Sequence, residues 1–149
     1  MIKFDVSNGR VQAEDSIRRR AVVEFHDNYE QIPQVFCNIL MFDTFIDVHT
    51  HELDGSDEYI LICEGRIGVL CFDEELNVSD KTVLDAQNDS KCVKIKANEL
   101  HTVVCLSKSA MILEIKNTPY DKNIAKKIYA AEPMLNSKHI TLELLKSYF

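Results

Sequence analysis

The stretch that decides the fold is Asp43–Gly65, DTFIDVHTHELDGSDEYILICEG. It holds two apolar segments, Thr44 to His51 and Tyr59 to Glu64, on either side of a turn cluster, Asp54-Gly55-Ser56. Short β-rich segments separated by Gly/Asp/Ser read as strands and turns. His49-Thr50-His51 sits inside the first, where the two-residue strand period sends both imidazoles to one face. Glu58 opens the second, and a hairpin across the glycine-containing loop is expected to bring its carboxylate back beside the pair.

Working outward, the same texture continues: Val35 to Phe42, Arg66 to Asp73, Lys81 to Ala86, Val93 to Ile95, His101 to Leu106 and Ala110 to Lys116 complete eight expected strands. Glu64-Gly65, Gln87-Asn88-Asp89-Ser90 and Ala97-Asn98 punctuate them. Eight short strands imply a barrel or sandwich. Upstream, residues 1–34 are polar and mixed and are read as a covering arm, with Ser16 starting a short helix through Arg18-Arg19-Arg20. Residues 35–118 form the barrel. In 119–149 the pattern turns helical after Pro119, around Ile124 to Ala131 and again from Ile140 to Phe149, and this tail is expected to pack on the barrel as part of one domain.

Composition bounds the chemistry. A chain of 149 residues suits one core, and no apolar stretch reaches membrane-spanning length. The opening MIKFDVSNGR carries Lys3 and Asp5 without an apolar stretch, so cytoplasmic residence is the expectation. A formal charge of −7 argues against general affinity for nucleic acid. Cys37, Cys63, Cys71, Cys92 and Cys105 are odd in number, form no CxxC pair and lie mostly in apolar runs, as free buried thiols do.

His101 lies forty-three residues beyond Glu58, at the start of another strand, and is placed to complete a set with His49, His51 and Glu58 from across a barrel. Three imidazoles and one carboxylate suit one divalent transition-metal ion, Mn, Fe, Co, Ni or Zn, and not Ca or Mg. Four protein ligands leave positions of an octahedral ion open to water or substrate. His26 and His139 fall outside this pattern and receive no function.

These positions resemble the two signature motifs of the cupin superfamily, G(x)5HxH(x)3-4E(x)6G and G(x)5PxG(x)2H(x)3N. His49, His51, Glu58, Gly65 and His101 match. Asp43 replaces the opening glycine, six residues separate His51 from Glu58, Lys96-Ala97-Asn98 replaces the Pro-x-Gly turn, and Cys105 replaces the last Asn. Asn98 is able to adopt the left-handed conformation of the missing glycine. A closer likeness is to the WbuC-type cupin-fold metalloproteins, through Arg18-Arg19-Arg20, GRIGVLCFD, ELHTVV and EIKNTPYDKN. It implies an all-β, RmlC-like cupin (jelly-roll) barrel with a metal site, encoded among genes for bacterial surface polysaccharides.

Around the expected site, Phe45 and Asp47 are in phase with His49, and Ile60 and Ile62 with Glu58. Asp47 is read as an acceptor orienting an imidazole. Glu114 and Lys116 share a face of the last strand, one as a proton carrier and the other as a charge for an anionic substrate, and Tyr120 with Asp121 closes the mouth. Arg18 to Arg20 suit a phosphate. Apolar residues on both strand faces lead us to expect a homodimer or coverage by the arm and tail. The leading functional reading is a metal-dependent enzyme, of isomerase, lyase or oxygenase type, acting on a carbohydrate or sugar-nucleotide intermediate. A non-catalytic metal-dependent binding module and a metal-independent sugar epimerase or ketoisomerase stay open beside it, and no catalytic base is named.

Overall fold

The computed structural model describes residues 1, 5–52, 55–121, 126–129 and 140–149. Among these are ten strands: β1 (Arg20–Glu24), β2 (Gln34–Met41), β3 (His49–Thr50), β4 (Glu58–Glu64), β5 (Arg66–Phe72), β6 (Val78–Asp85), β7 (Cys92–Ile95), β8 (Leu100–Cys105), β9 (Ser109–Lys116) and β10 (Lys127–Ile128). Helices α1 (Ser7–Asp15) and α2 (Leu142–Lys146) flank them. The strands form two five-stranded antiparallel sheets, ordered β1-β2-β9-β4-β7 and β10-β3-β8-β5-β6. This is the expected jelly-roll arrangement.

The sheets face each other over an apolar core. Leu40, Ile60, Ile62, Ile95 and Ile112 come from the first, and Ile67, Val69, Leu84, Val103 and Cys105 from the second. Alternation on β4 follows the expected phase: Ile60 and Ile62 are buried, while Tyr59, Leu61 and Cys63 face outward. Gly65 turns the chain from β4 into β5 with φ +75, and a Cβ there would collide with the Ser109 carbonyl. Asn98 takes the left-handed conformation, φ 64, in the turn before β8.

Several expected elements differ. Of Thr44 to His51, only His49–Thr50 is strand. The irregular lead-in lets Ile46 join the inner core and Val48 the outer cluster with Leu70, Val104 and Leu145, although they are two residues apart. Phe45, expected on the inner face, is therefore exposed. Ser16 ends a helix rather than starting one: it is the C-cap of α1, and Arg20 opens β1. The arm thus supplies an edge strand, paired along β2 from Arg20↔Leu40 to Glu24↔Phe36. The helix expected over Ile124 to Ala131 is replaced, in its described part, by β10, which pairs with β3.

Both appendages cover outer sheet faces. Ala13 of α1 packs with Cys37, Ile39 and Met41 of β2. Leu145 of α2 is fully buried against Val48, Leu70, Phe72 and Val104, and Phe149 lies against Gly68. Thr141 caps α2 by accepting a hydrogen bond from the Leu144 N–H at 3.2 Å. Among the described residues, what stays open is the outer face of β9 and β4, where Ile115 pairs with Tyr59 and Leu113 with Leu61.

All five cysteines are free thiols, but Cys63 and Cys92 are exposed rather than buried, because they fall on outward positions of β4 and on β7. Burial pushes the Cys37 thiol up to about 11 and the Cys71 thiol up to about 12. A thiol raised in this way is nucleophilic only as the pH nears that value, so at pH ~8 about one Cys37 in a thousand is thiolate. Iodoacetamide at that pH is expected to alkylate Cys63 and Cys92 at least ~tenfold faster than Cys37 and Cys71, read by mass spectrometry of the alkylated peptides. Equal rates would show that the outer sheet face is not covered as described.

Candidate metal centre

His49, His51, Glu58 and His101 are all buried, and each offers one ligand atom within 4.8 Å of the others. The topology behind this differs from the hairpin expected above. β3 and β4 lie in different sheets, so Glu58 reaches the histidines across the interior. His101 instead comes from the strand beside β3, as the direct register partner of His49. Their rings stand 4.2 Å apart between centroids.

Main-chain carbonyls two residues upstream set the ring orientations. His49 Nδ1 donates to the Asp47 carbonyl at 2.8 Å, and His101 Nδ1 to the Glu99 carbonyl at 2.7 Å. With the proton on Nδ1, each Nε2 turns a lone pair toward the cluster. Asp47 thus supplies the orienting contact through its backbone rather than its carboxylate, and its half-buried side chain does not line the interior cavities described below.

Glu58 is the hub. One carboxylate oxygen lies 3.2 Å from both His51 Nε2 and His101 Nε2, and the other lies 3.2 Å from Lys116 Nζ. Burial works to raise this carboxyl, but the Lys116 ammonium, the polar contacts with His101 and His51, and a hydrogen bond from Glu114 outweigh it and hold it well below the usual carboxylate range. Glu114 goes the other way: burial, then the charge of Glu58, keep it protonated well above that range, while Asn38 donates to its other oxygen. Burial also lowers His49, with the neighbouring His101 and Lys126 adding to the effect, so its imidazole stays neutral. Three imidazoles with converging ring nitrogens beside an ionised carboxylate are a donor set that fits a divalent transition metal.

Two cavities that share Val22, Phe36, His51, Lys116 and Tyr120 in their linings reach this cluster. One, of about 360 Å³, runs from His49, Glu58 and His101 past Glu114 to Arg18 and Arg20. The other, of about 260 Å³, lies between His51 and Lys116 on one side and His26, Tyr29 and Tyr120 on the other. Glu114, Lys116 and Tyr120, singled out from the sequence, therefore border the cavities, and Tyr120 packs on Tyr29 at 5.1 Å between ring centroids. Arg19 turns away to pair with Asp43. His26 was not legible as part of this region, because its place depends on the unexpected β1–β2 pairing; His139 lies outside the described residues.

Residues 4–84 match the model of a family described as "Domain of unknown function (DUF6016)", more than half of the chain. No curated protein sequence matches. Solved structures similar to this chain include the capsular polysaccharide assembling protein CapF from Staphylococcus aureus, at 16% identity and TM-score 0.64, covering 76% of this chain and 32% of that one. The dTDP-4-dehydrorhamnose 3,5-epimerase from Elizabethkingia anophelis matches at 14% and 0.56 over 75% of both chains. Oxalate decarboxylase from Bacillus subtilis matches at 13% and 0.58, over 76% of this chain and 29% of that one. These likenesses establish the cupin fold. The chain spans about a third of the CapF chain.

In the metal-free protein the Lys116–Glu58 pair stabilises the fold. A carboxyl held low in the folded state contributes stability above its unfolded pKa, ~4.3, that is lost as the pH falls through the folded value. Lys116→Met is expected to cost on the order of 2 kcal/mol at neutral pH, with the deficit shrinking below pH ~4. Urea unfolding of chelator-treated protein at both pH values checks this.

Proposed function

We propose, for a chain that belongs to the DUF6016 family and has the cupin fold, that it is a metal-dependent enzyme acting on an anionic carbohydrate or sugar-nucleotide intermediate of bacterial surface polysaccharide synthesis. The observation that carries this reading is the buried set His49, His51, Glu58 and His101, open to cavities bordered by Arg18, Arg20, Lys116 and Lys126. A buried transition-metal donor set beside four cations is suited to a small anion, and phosphate or carboxylate groups pair well with guanidinium and ammonium. Two structural relatives, a capsular polysaccharide assembling protein and a deoxysugar epimerase, support the sugar assignment. The WbuC-type likeness of EIKNTPYDKN and ELHTVV points the same way.

The four residues would hold the ion, which supplies Lewis acidity to a substrate carbonyl, hydroxyl or water. Lys116 orients the anionic end of the substrate and keeps Glu58 ionised. Glu114, protonated and hydrogen-bonded to Glu58, carries a proton at the cavity wall. The aromatic pair Tyr29 and Tyr120 limits water at the mouth. Residence in the cytoplasm, where sugar nucleotides are made, belongs to this reading, as does the assignment of 1–34 as arm, 35–118 as barrel and 119–149 as tail of one domain.

Elemental analysis of purified protein tests the centre. Near-stoichiometric Mn, Fe, Co, Ni or Zn is expected in the wild type and its loss in a His49→Ala/His101→Ala variant. A metal-free wild type that cannot be reloaded would leave a metal-independent epimerase or ketoisomerase, or a binding module, in its place.

We further propose a homodimer through the outer face of β9 and β4. Val35, Ile115 and Tyr59 form one cross-strand row, and Leu113 and Leu61 lie in the next. Tyr59 and Leu61 remain 39% and 37% exposed, a contiguous apolar strip that a monomer seldom presents. Light scattering is expected to give twice the chain mass at micromolar concentration, and Leu61→Arg to give the chain mass. A wild-type monomer would sink the dimer.

A further inference from the structure

His26 is the fourth histidine of this interior, and it stands apart from the four-residue centre. Its side chain is 4% exposed. It lies two residues beyond the end of β1, and its Nδ1 lies 3.0 Å from the Val35 carbonyl. A carbonyl oxygen only accepts, so the ring proton is on Nδ1, and in the neutral imidazole Nε2 is a bare lone pair. That Nε2 is buried and has no hydrogen-bond partner among the described residues. A buried polar atom without a partner is costly, and it persists where a ligand or water completes it.

The surroundings say what would complete it. His26 lines the smaller cavity together with His51, Lys116, Phe36, Tyr29 and Tyr120. Phe36 lies between the two sides: its ring is 6.4 Å from that of His26 and 5.5 Å from Lys116 Nζ. A ligand filling the space thus meets a cation and a candidate metal ligand at one end, aromatic walls along its length, and a hydrogen-bond acceptor at the other. Because Nε2 accepts, the ligand must donate there, through a hydroxyl or amine. Glu24 stands 4.0 Å from Nε2, where its carboxylate stabilises an imidazolium once Nε2 is protonated.

We propose that His26 is the general base of this site and that the substrate is a polyhydroxylated anion, with its charged end toward Lys116 and a hydroxyl on His26 Nε2. In the step assigned to it, the hydroxyl O–H bond breaks, the proton forms the Nε2–H bond, and the electron pair stays on the substrate oxygen. The imidazolium keeps its Nδ1–H bond to Val35 and faces Glu24. This inference deepens the functional reading above and rests on it for the identity of the anionic end. The open base itself depends only on the β1–β2 edge.

The test uses the folded wild-type protein. Long-range 1H–15N correlation spectra are expected to show His26 as the Nδ1–H tautomer, and loss of its signals in His26→Gln assigns them. An Nε2–H tautomer would overturn the proposal. Elemental analysis of the same sample separates the two readings: a metal-free protein in which His26 is the Nδ1–H tautomer sinks the metal centre and leaves the base standing, and a metal-loaded protein with His26 as the Nε2–H tautomer does the reverse.

Discussion

A carboxylate that stays ionised between two apolar sheets constrains everything around it. Glu58 is 3% exposed, and isolated in such a place it would be neutral. Its charge is maintained from three directions: His51 and His101 from the opposite sheet, Lys116 from the end of β9, and the protonated Glu114 from the same strand. Lys116 is the register partner of Glu58 itself, so the ladder that builds the sheet also sets the ion pair. Removing any one partner disturbs the balance of the rest, because the charges interact through a medium that screens them poorly.

The interior is divided along the strand axis. Toward one end, Ile62, Ile67, Leu84, Val103 and Ala110 fill the space between the sheets without polar atoms from their side chains. Toward the other, the same strands present Glu58, His101, Glu114 and Lys116 to the cavities. The apolar half supplies the burial that holds the sheets together, and the polar half is left free to carry chemistry.

Much of this was legible from residue order. Turn chemistry at Gly65 and Asn98 marks the starts of β5 and β8, and the HxH spacing with Glu58 and His101 marks four residues that the fold brings together. The failures have one cause: sequence period assumes regular strands. Between Thr44 and Val48 the chain is irregular, so Ile46 and Val48 serve different cores and the phase argument for Phe45 and Asp47 does not hold. Pairing partners are equally invisible, which is why a hairpin is expected for Glu58 when it arrives from the facing sheet, and why Arg20–Glu24 reads only as part of a covering arm when it is an edge strand on β2. His26 inherits its position from that edge. Its one trace in the sequence is that it lies just beyond the segment Arg20–Glu24, with Phe25 between.

The strand that bears His49 is only two residues long, and it is flanked by β8 on one side and β10 on the other. So short a strand has no stability of its own. The position of the first ligand is therefore a property shared with the chain that follows the barrel: Tyr129 donates its N–H to the Val48 carbonyl at 3.0 Å, and Leu145 packs on the Val48 side chain. Opening of the described part of the tail and displacement of His49 thus become one cooperative event.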